Sequence, residues 1–298
     1  MHDSKCLRLR MLGACLQSYE SITPGHDKFQ VQWLDLGPLV PNPLKIPDEP
    51  DVALVGRIEE GIVVVFRGTR PPGPGDDRPF DTMIDWLNDA NCIPIRSHYP
   101  GRVHKGFERS VSNLWSEVRK RVEVMIESGA PPVLFVTGHS KGGAMAFLAA
   151  WRLAREIQSD INIRVITFAA ARPGDADFAN GILAEPRIKS IRYEIRRDIV
   201  PLLPPGPDFG SIAALIATVF PRLKLDRLPK VYVGVGKAEI GGERMIDRAA
   251  SLGRELLGLF RGRRPRWWSP REIVDSHAII GGSAYSRLAH ELADCDHG

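Results

Sequence analysis

The spacing of apolar residues along the chain alternates between short continuous runs and longer stretches with a helical period. The short runs predict strands over 51–58, 62–66, 131–138, 161–170, 187–195 and 230–236. The helical period predicts helices over 1–20, 80–89, 106–128, 142–157, 176–184 and 283–294. Because strands and helices alternate, we expect right-handed crossovers and a mainly parallel central sheet with helices on both faces.

Composition adds few constraints to this α/β pattern. The 298 residues carry 43% hydrophobic and 26% charged side chains with a net charge of +4, which does not by itself indicate nucleic-acid binding. We expect a single domain over 1–298 that contains a Pro/Gly-rich loop over 70–79. The cysteines form no CxxC pair and are expected to be isolated, reduced thiols. They are Cys6, Cys15, Cys92 and Cys295.

No export or membrane-spanning signal is apparent. Arg8 and Arg10 interrupt the first apolar stretch, so the core of a signal peptide is missing. The longest uncharged run elsewhere, 209–220, has 12 residues and is too short to cross a bilayer. These features predict a cytoplasmic location. The arginine-rich segment 261–266 is compatible with peripheral contact with a membrane.

The segment "VTGHSKGGA" places a serine directly after a predicted strand and directly before a predicted helix. This order is typical of the Gly-x-Ser-x-Gly nucleophile elbow. Gly138, His139 and Gly142 would form the elbow, with Ser140 at its tip facing open space. A phosphate-binding loop is a poorer interpretation, because Lys141 is followed by glycine and not by serine or threonine.

A serine hydroxyl needs a base, and in this arrangement the acid and then the histidine follow the serine along the chain. His277 lies in a short segment before two glycines and is the expected base. His290 falls inside a predicted helix, and His297 is next to the last residue.

The expected acid is Asp198, which follows the predicted strand 187–195. Carboxyl ends of parallel strands are where such sheets collect catalytic groups. Asp175 and Asp177 are the alternatives, although they open a predicted helix and are better placed to cap it.

Seven segments resemble, in the same order, the class 3 lipase family, which includes fungal triacylglycerol lipases and diacylglycerol lipases. They are "VVFRGT", "DWLND", "VHKGF", "VTGHSKGGA", "ITFAAARPGDADF", "RRDIVPLLPP" and an "H…Y" pair near the C-terminus. The resemblance covers roughly 53–205 and the surroundings of His277. It implies an α/β-hydrolase fold.

For single residues, the resemblance implies a catalytic triad, an oxyanion hole and a lid. The triad would be Ser140, Asp198 and His277. Thr69 and the backbone N–H of Lys141 would form the oxyanion hole, and 70–90 would be a mobile lid. Many relatives carry an apolar residue where this chain has Lys141, and its charge predicts a preference for an anionic group on the substrate.

The connection between acid and base departs from the fungal pattern. It spans 277 − 198 = 79 positions and implies an insertion over 206–270. Its run 209–220 is either a second cover over the acyl site or a core helix. Farther on, four arginines lie beside Trp267 and Trp268, which suits an anionic membrane interface as well as it suits a solvated face. They are Arg261, Arg263, Arg264 and Arg266.

These features predict a serine carboxylic-ester hydrolase, a lipase that cleaves acylglycerol esters through an acyl-enzyme without metal or cofactor. Another acyl hydrolase, such as a phospholipase, esterase or thioesterase, is an alternative, as is a lipase-like protein that binds lipid without turnover. The expected partners are a lipid or other ester substrate and, peripherally, a lipid interface. Nucleic acid is not expected.

Overall fold

Within the described ranges, the strands and helices predicted between residues 51 and 195 appear in order, and four strands, at 44–45, 94–96, 102–104 and 238–241, are not predicted from the sequence. A computed structural model describes residues 5–19, 44–45, 51–69, 92–157, 160–195, 198–207, 229–241 and 285. Its strands are β1 (Leu44–Lys45), β2 (Val52–Ile58), β3 (Gly61–Phe66), β4 (Pro94–Arg96), β5 (Arg102–His104), β6 (Val133–His139), β7 (Asn162–Phe168), β8 (Ile188–Ile195) and β9 (Ala238–Gly241). Its helices are α1 (Lys5–Tyr19), α2 (Lys105–Glu127), α3 (Lys141–Glu156) and α4 (Ala176–Ala184), with a 3₁₀ turn at Val200–Leu202.

The central sheet has the strand order β1-β2-β3-β6-β7-β8-β9. β1, β2 and β3 pair antiparallel, and every pair from β3 to β9 is parallel. β4 and β5 form a separate antiparallel pair. The prediction of a mainly parallel sheet is confirmed, and the carboxyl ends of β3, β6, β7 and β8 therefore meet at one edge.

Both faces of the sheet are covered, which explains why its strands are continuously apolar. In β3, Ile62, Val64 and Phe66 pack in one cluster with residues of α2 and α3. Val63 and Val65 pack in a second cluster, on the other side, with residues of α1. The prediction of helices on both faces is confirmed.

The long helix α2 begins where a histidine side chain caps it. The Phe107 N–H donates to Nδ1 of His104 at 3.2 Å, which satisfies one of the helix's free N–H groups. Phe107, Val111, Leu114, Val118, Val122 and Met125 are buried along one face. This is the spacing from which the sequence predicts the helix.

The strand predicted over 230–236 is wrong. Val233 makes only an isolated bridge to Gly174, and the chain enters the sheet later, as β9. Gly236 has φ +66°, which interrupts the extended backbone that a strand needs. Tyr232 and Val235 are nevertheless buried in the core, so the apolar pattern reflects a buried connection and not a strand.

Several predictions fall outside the described residues. They concern the loop 70–79, the helix 80–89, the lid 70–90, the insertion 206–270 apart from 206–207 and 229–241, and the helix 283–294 apart from Tyr285. Within the described ranges, Cys15 and Cys92 are buried free thiols. None of the helices in those ranges is both long and apolar enough to cross a membrane.

Candidate active site

Ser140 makes the whole turn between a strand and a helix. β6 ends at His139 and α3 begins at Lys141. Ser140 has φ 60° and ψ −127°, a conformation that costs a residue with a side chain about 1–3 kcal/mol. Its side chain makes no capping hydrogen bond to α3, although serine commonly does so at this position. The backbone is strained, and the helix does not use the hydroxyl.

The glycines of the motif allow backbones to approach closely. A Cβ at Gly138 would overlap the carbonyl oxygen of Gly142, and a Cβ at Gly142 would overlap that of Phe66 at the end of β3. A Cβ at Gly143 would lie 2.6 Å from the Cβ of Ala170. Only glycine therefore lets the turn lie this close to β3 and to the segment after β7.

Ser140 is buried as a whole residue, whereas the sequence pattern predicts a hydroxyl that faces open space. The residue is 2% exposed. Its N–H donates to the Phe168 carbonyl at 3.0 Å, and its carbonyl accepts from the N–H groups of Gly143 at 3.0 Å and Ala171 at 3.3 Å. These bonds hold the Ser140 backbone against the start of α3 and the segment after β7, which is why little of the residue is exposed.

The segment that carries Thr69 runs directly past the elbow. A Cβ at Gly68 would lie 2.5 Å from the His139 carbonyl oxygen and 3.1 Å from the Ser140 Cβ. Lys141 is the first residue of α3, so its N–H has no acceptor within the helix. The two expected donors thus belong to two segments that adjoin Ser140, one that passes it and one that follows it in the chain.

The side chain of Lys141 does not present a free charge to the site. Its Nζ lies 2.6 Å from Oδ1 of Asp51, and the side chains are 18% and 6% exposed. The predicted preference for an anionic substrate group therefore loses its basis, because a neighbouring carboxylate already neutralises the charge. Asp51 carries no motif in the sequence, so this partner could not be foreseen.

Asp198 follows β8, two strands along the sheet from the elbow. It is 1% exposed, and its two carboxylate oxygens accept from the Val200 N–H and the Tyr285 hydroxyl, both at 2.9 Å. Burial and the neighbouring Asp198 charge raise the pKa of Tyr285 well above its usual value, so the phenol keeps its proton and donates it. The "H…Y" segment contained this tyrosine, but its role was missed.

The alternative acids have another role. Oδ1 of Asp175 accepts from the Phe178 N–H at 3.0 Å and caps α4, and Asp177 is exposed in the first turn of that helix. At the N-terminus of α4, the two carboxylates stabilise the helix by capping it and by interacting with its dipole, which argues against a catalytic role.

The expected base lies outside the part of the chain that the structure describes. His277, His290 and His297 lie outside the described ranges. Within those ranges, no group of three or more His, Cys, Asp or Glu side chains is arranged to hold a metal ion.

Tyr19, from α1, connects the elbow with the segment of Thr69. Its hydroxyl lies 2.9 Å from Nδ1 of His139, and the backbone N–H of Gly68 hydrogen-bonds the same oxygen. Burial raises the pKa of Tyr19, so the phenol remains neutral. No local pattern marks Tyr19, because its partners are far away in the sequence.

Arg172 and Ala169 shape the segment after β7. The buried Arg172 donates from Nε to the Pro201 carbonyl and from Nη1 to the Tyr232 carbonyl, both at 3.2 Å. It therefore holds the turn that follows Asp198. Ala169 has φ 51°, a second strained residue beside the elbow. "ITFAAARPGDADF" was part of the resemblance, but neither role could be derived from it.

The capping His104 is neutral. Burial, and then the charge of Lys141, lower its pKa from 6.5 to about 3. Its ring stacks on Phe107 with centroids 3.9 Å apart. A neutral ring is what the cap requires, because Nδ1 must accept the Phe107 N–H.

Known proteins match the part of the chain that carries this geometry. Residues 63–207 match the family model described as lipase (class 3). A lipase of Rhizomucor miehei is 33% identical over 165 residues, which is 53% of this chain and 41% of that protein. The secreted mono- and diacylglycerol lipase MDL3 of Malassezia globosa is 31% identical over 158 residues, 50% of this chain and 48% of that protein. The chain spans less than half of each.

The fold has counterparts among solved structures. A triacylglycerol lipase whose catalytic centre is formed by a serine-protease triad superposes with a TM-score of 0.51. It is 26% identical and covers 67% of this chain and 74% of that one. Together with the parallel sheet, the strained serine and the ordered motifs, these matches identify the α/β-hydrolase fold, and residues 63–207 are similar to the class 3 lipase family.

Proposed function

We propose that the chain is a serine carboxylic-ester hydrolase, a lipase that cleaves acylglycerol esters. The observation that carries the proposal is Ser140, held at φ 60° between β6 and α3 by glycine contacts on both sides. Backbone strain of this kind persists where the surrounding structure must hold a side chain in a particular direction. The lipases to which the chain is similar act on esters of the proposed class, which supports the choice of substrate.

The proposed nucleophile and acid lie at the same edge of the sheet. Ser140 follows β6 and Asp198 follows β8, and β7 lies between them. Adjacent strands are about 4.8 Å apart, so the two residues leave room for one histidine side chain. We assign that place to His277, from the chain order Ser, Asp, His.

The reaction then proceeds in two steps. His277 accepts the Ser140 proton as the hydroxyl oxygen attacks the ester carbonyl carbon, and the N–H groups of Thr69 and Lys141 stabilise the oxyanion. The C–O bond breaks, and the alcohol leaves with the proton from His277. Water, deprotonated by His277, attacks the acyl-enzyme, releases the fatty acid and restores the Ser140 hydroxyl. Asp198 orients the imidazole and stabilises its charged form.

A fluorophosphonate probe tests the proposal. The intact chain is incubated with the probe, and the modified peptide is identified by mass spectrometry. We expect one label, on Ser140, and loss of labelling in Ser140→Ala and His277→Ala. His290→Ala is the matched control, since it removes the other histidine weighed as a base, and it should label like the wild type. A label on another residue, or unchanged labelling of Ser140→Ala, contradicts the proposal.

A substrate panel tests the lipid specificity. Emulsified triacylglycerol, diacylglycerol and phospholipid are compared with a soluble short-chain ester at equal ester concentration. We expect acylglycerols to be cleaved fastest. Turnover of the soluble ester or of phospholipid above that of both acylglycerols would leave the serine mechanism in place but replace the substrate class.

A further inference from the structure

The ion pair between Lys141 and Asp51 joins two segments whose relative position matters for the proposed oxyanion hole. Lys141 begins α3 and would supply one oxyanion-hole N–H. Asp51 directly precedes β2, and both side chains are largely buried, at 18% and 6% exposure. A flexible lysine is held in one place here by a 2.6 Å contact.

Asp51 also lies beside the segment that carries the other donor. β2 pairs with β3, and the Arg67 N–H donates to the Val52 carbonyl at 2.9 Å just beyond the last strand pair. Thr69 follows two residues later. The chain around Asp51 therefore touches the segment of Thr69 through the backbone and Lys141 through the ion pair.

The contact is more than a local attraction. A buried ion pair gives little net stability, because desolvating two charges offsets most of their attraction. The pair does fix a geometry, because separating the two charges would leave each of them largely buried without a counter-charge. Oxyanion-hole donors act only when they lie about 2.7–3.1 Å from the developing oxyanion.

We propose that Asp51 and the Lys141 side chain are positioning residues, whose ion pair sets the distance between the Thr69 and Lys141 backbone donors. This inference rests on the proposed function. Neither side chain touches the substrate; both act through the backbone that they hold.

The test compares kcat and KM for a soluble p-nitrophenyl ester. Asp51→Asn keeps the shape of the side chain but removes its charge. We expect kcat to fall on the order of 10- to 100-fold with KM within about threefold of the wild-type value, because the oxyanion hole acts mainly in the transition state.

Glu185→Gln is the matched control. Glu185 is also a buried carboxylate, 5% exposed, and pairs with Arg155 at 3.1 Å and Arg187 at 3.3 Å. It precedes β8, at the edge of the sheet opposite Ser140. Glu185→Gln should lower the melting temperature but leave kcat within about twofold of the wild-type value.

A double variant addresses the case in which Asp51→Asn does not fold. Asp51→Asn with Lys141→Met removes both charges, so no unpaired ammonium remains buried and the fold is preserved. We expect its kcat to be as low as that of Asp51→Asn alone, because both changes break one contact.

The outcomes separate this inference from the proposed function. A wild type that neither turns over the ester nor reacts with a fluorophosphonate overturns both. An active wild type with folded Asp51→Asn or double variants of wild-type kcat overturns the positioning role alone. A selective loss of kcat in these variants, with Glu185→Gln unaffected, supports it.

Discussion

Asp198 is held on both of its carboxylate oxygens. The Val200 N–H donates to Oδ1, the Tyr285 hydroxyl donates to Oδ2, and the Tyr285 oxygen in turn accepts from the Ile195 N–H at 3.1 Å. Leaving a buried group of this kind without its partner costs about 1–3 kcal/mol. The carboxylate is therefore fixed in orientation before any imidazole approaches it.

Tyr285→Phe removes the single oxygen atom that donates to Oδ2 of Asp198 and so tests whether this bond orients the carboxylate. The variant loses the bonds that the Tyr285 hydroxyl makes to Asp198 and to the Ile195 N–H. We expect the free energy of unfolding to fall by about 1–3 kcal/mol, and kcat for a soluble ester to fall about tenfold because the acid orients the base less well. Urea titration and steady-state kinetics measure the two effects.

Tyr232→Phe is the control for that substitution. Tyr232 is equally buried, and its hydroxyl donates to the Cys92 carbonyl at 3.0 Å instead of to a carboxylate. It should lose stability but keep its kcat. If the two variants lose kcat equally, the Tyr285 hydroxyl has no special relation to Asp198.

At the scale of elements, the cap of α2 makes the fold sensitive to acid. His104 ionises with a pKa of about 3 in the folded chain and near 6.5 when unfolded. Its contribution to stability is complete only well above pH 6.5, where the ring is neutral in both states. Below that pH the unfolded chain binds a proton that the folded chain does not, so stability falls continuously toward pH 3.

His104→Asn isolates this contribution. Asparagine also caps helices but does not titrate. Between pH 7 and pH 5, we expect the wild type to lose about 2 kcal/mol more of its free energy of unfolding than the variant loses. Urea titrations at the two pH values give the difference. An equal loss in both proteins would mean that His104 is not the titrating group.

At the scale of the whole molecule, the four arginines between residues 261 and 266 suggest how the protein meets its substrate. They lie outside the described residues, and their role at a membrane is a prediction from the sequence. Cationic side chains near an anionic surface contribute about 1 kcal/mol each, and salt screens this attraction. The cytoplasmic location is likewise still a prediction.

Replacing all four arginines with glutamine tests the membrane contact. We expect binding to vesicles rich in phosphatidylserine to weaken at least tenfold at low salt, and by less at physiological salt. The control removes the same charge from four exposed positions on the described surface and should bind like the wild type. They are Arg102, Lys105, Lys120 and Lys189. Equal binding by the arginine variant and the wild type would exclude docking through these residues.

Most strands of the central sheet could be predicted because the apolar pattern of each strand lies within a short window of the sequence. β3, β6 and α3 follow the apolar runs closely. The segment 230–236 could not be predicted, because a buried connection and a buried strand share the same alternation of apolar residues. What distinguishes them is the pairing partner, which lies elsewhere in the chain.

The sequence by itself determined the mainly parallel α/β sheet, the elbow around Ser140 and the position of Asp198 after its strand, because glycine spacing and periodicity are local properties. Only the tertiary structure decided what surrounds them. The partner of Lys141 is 90 positions away and that of His139 is 120 positions away. Such contacts depend on which strands and helices become neighbours, and no short window of the sequence contains that information.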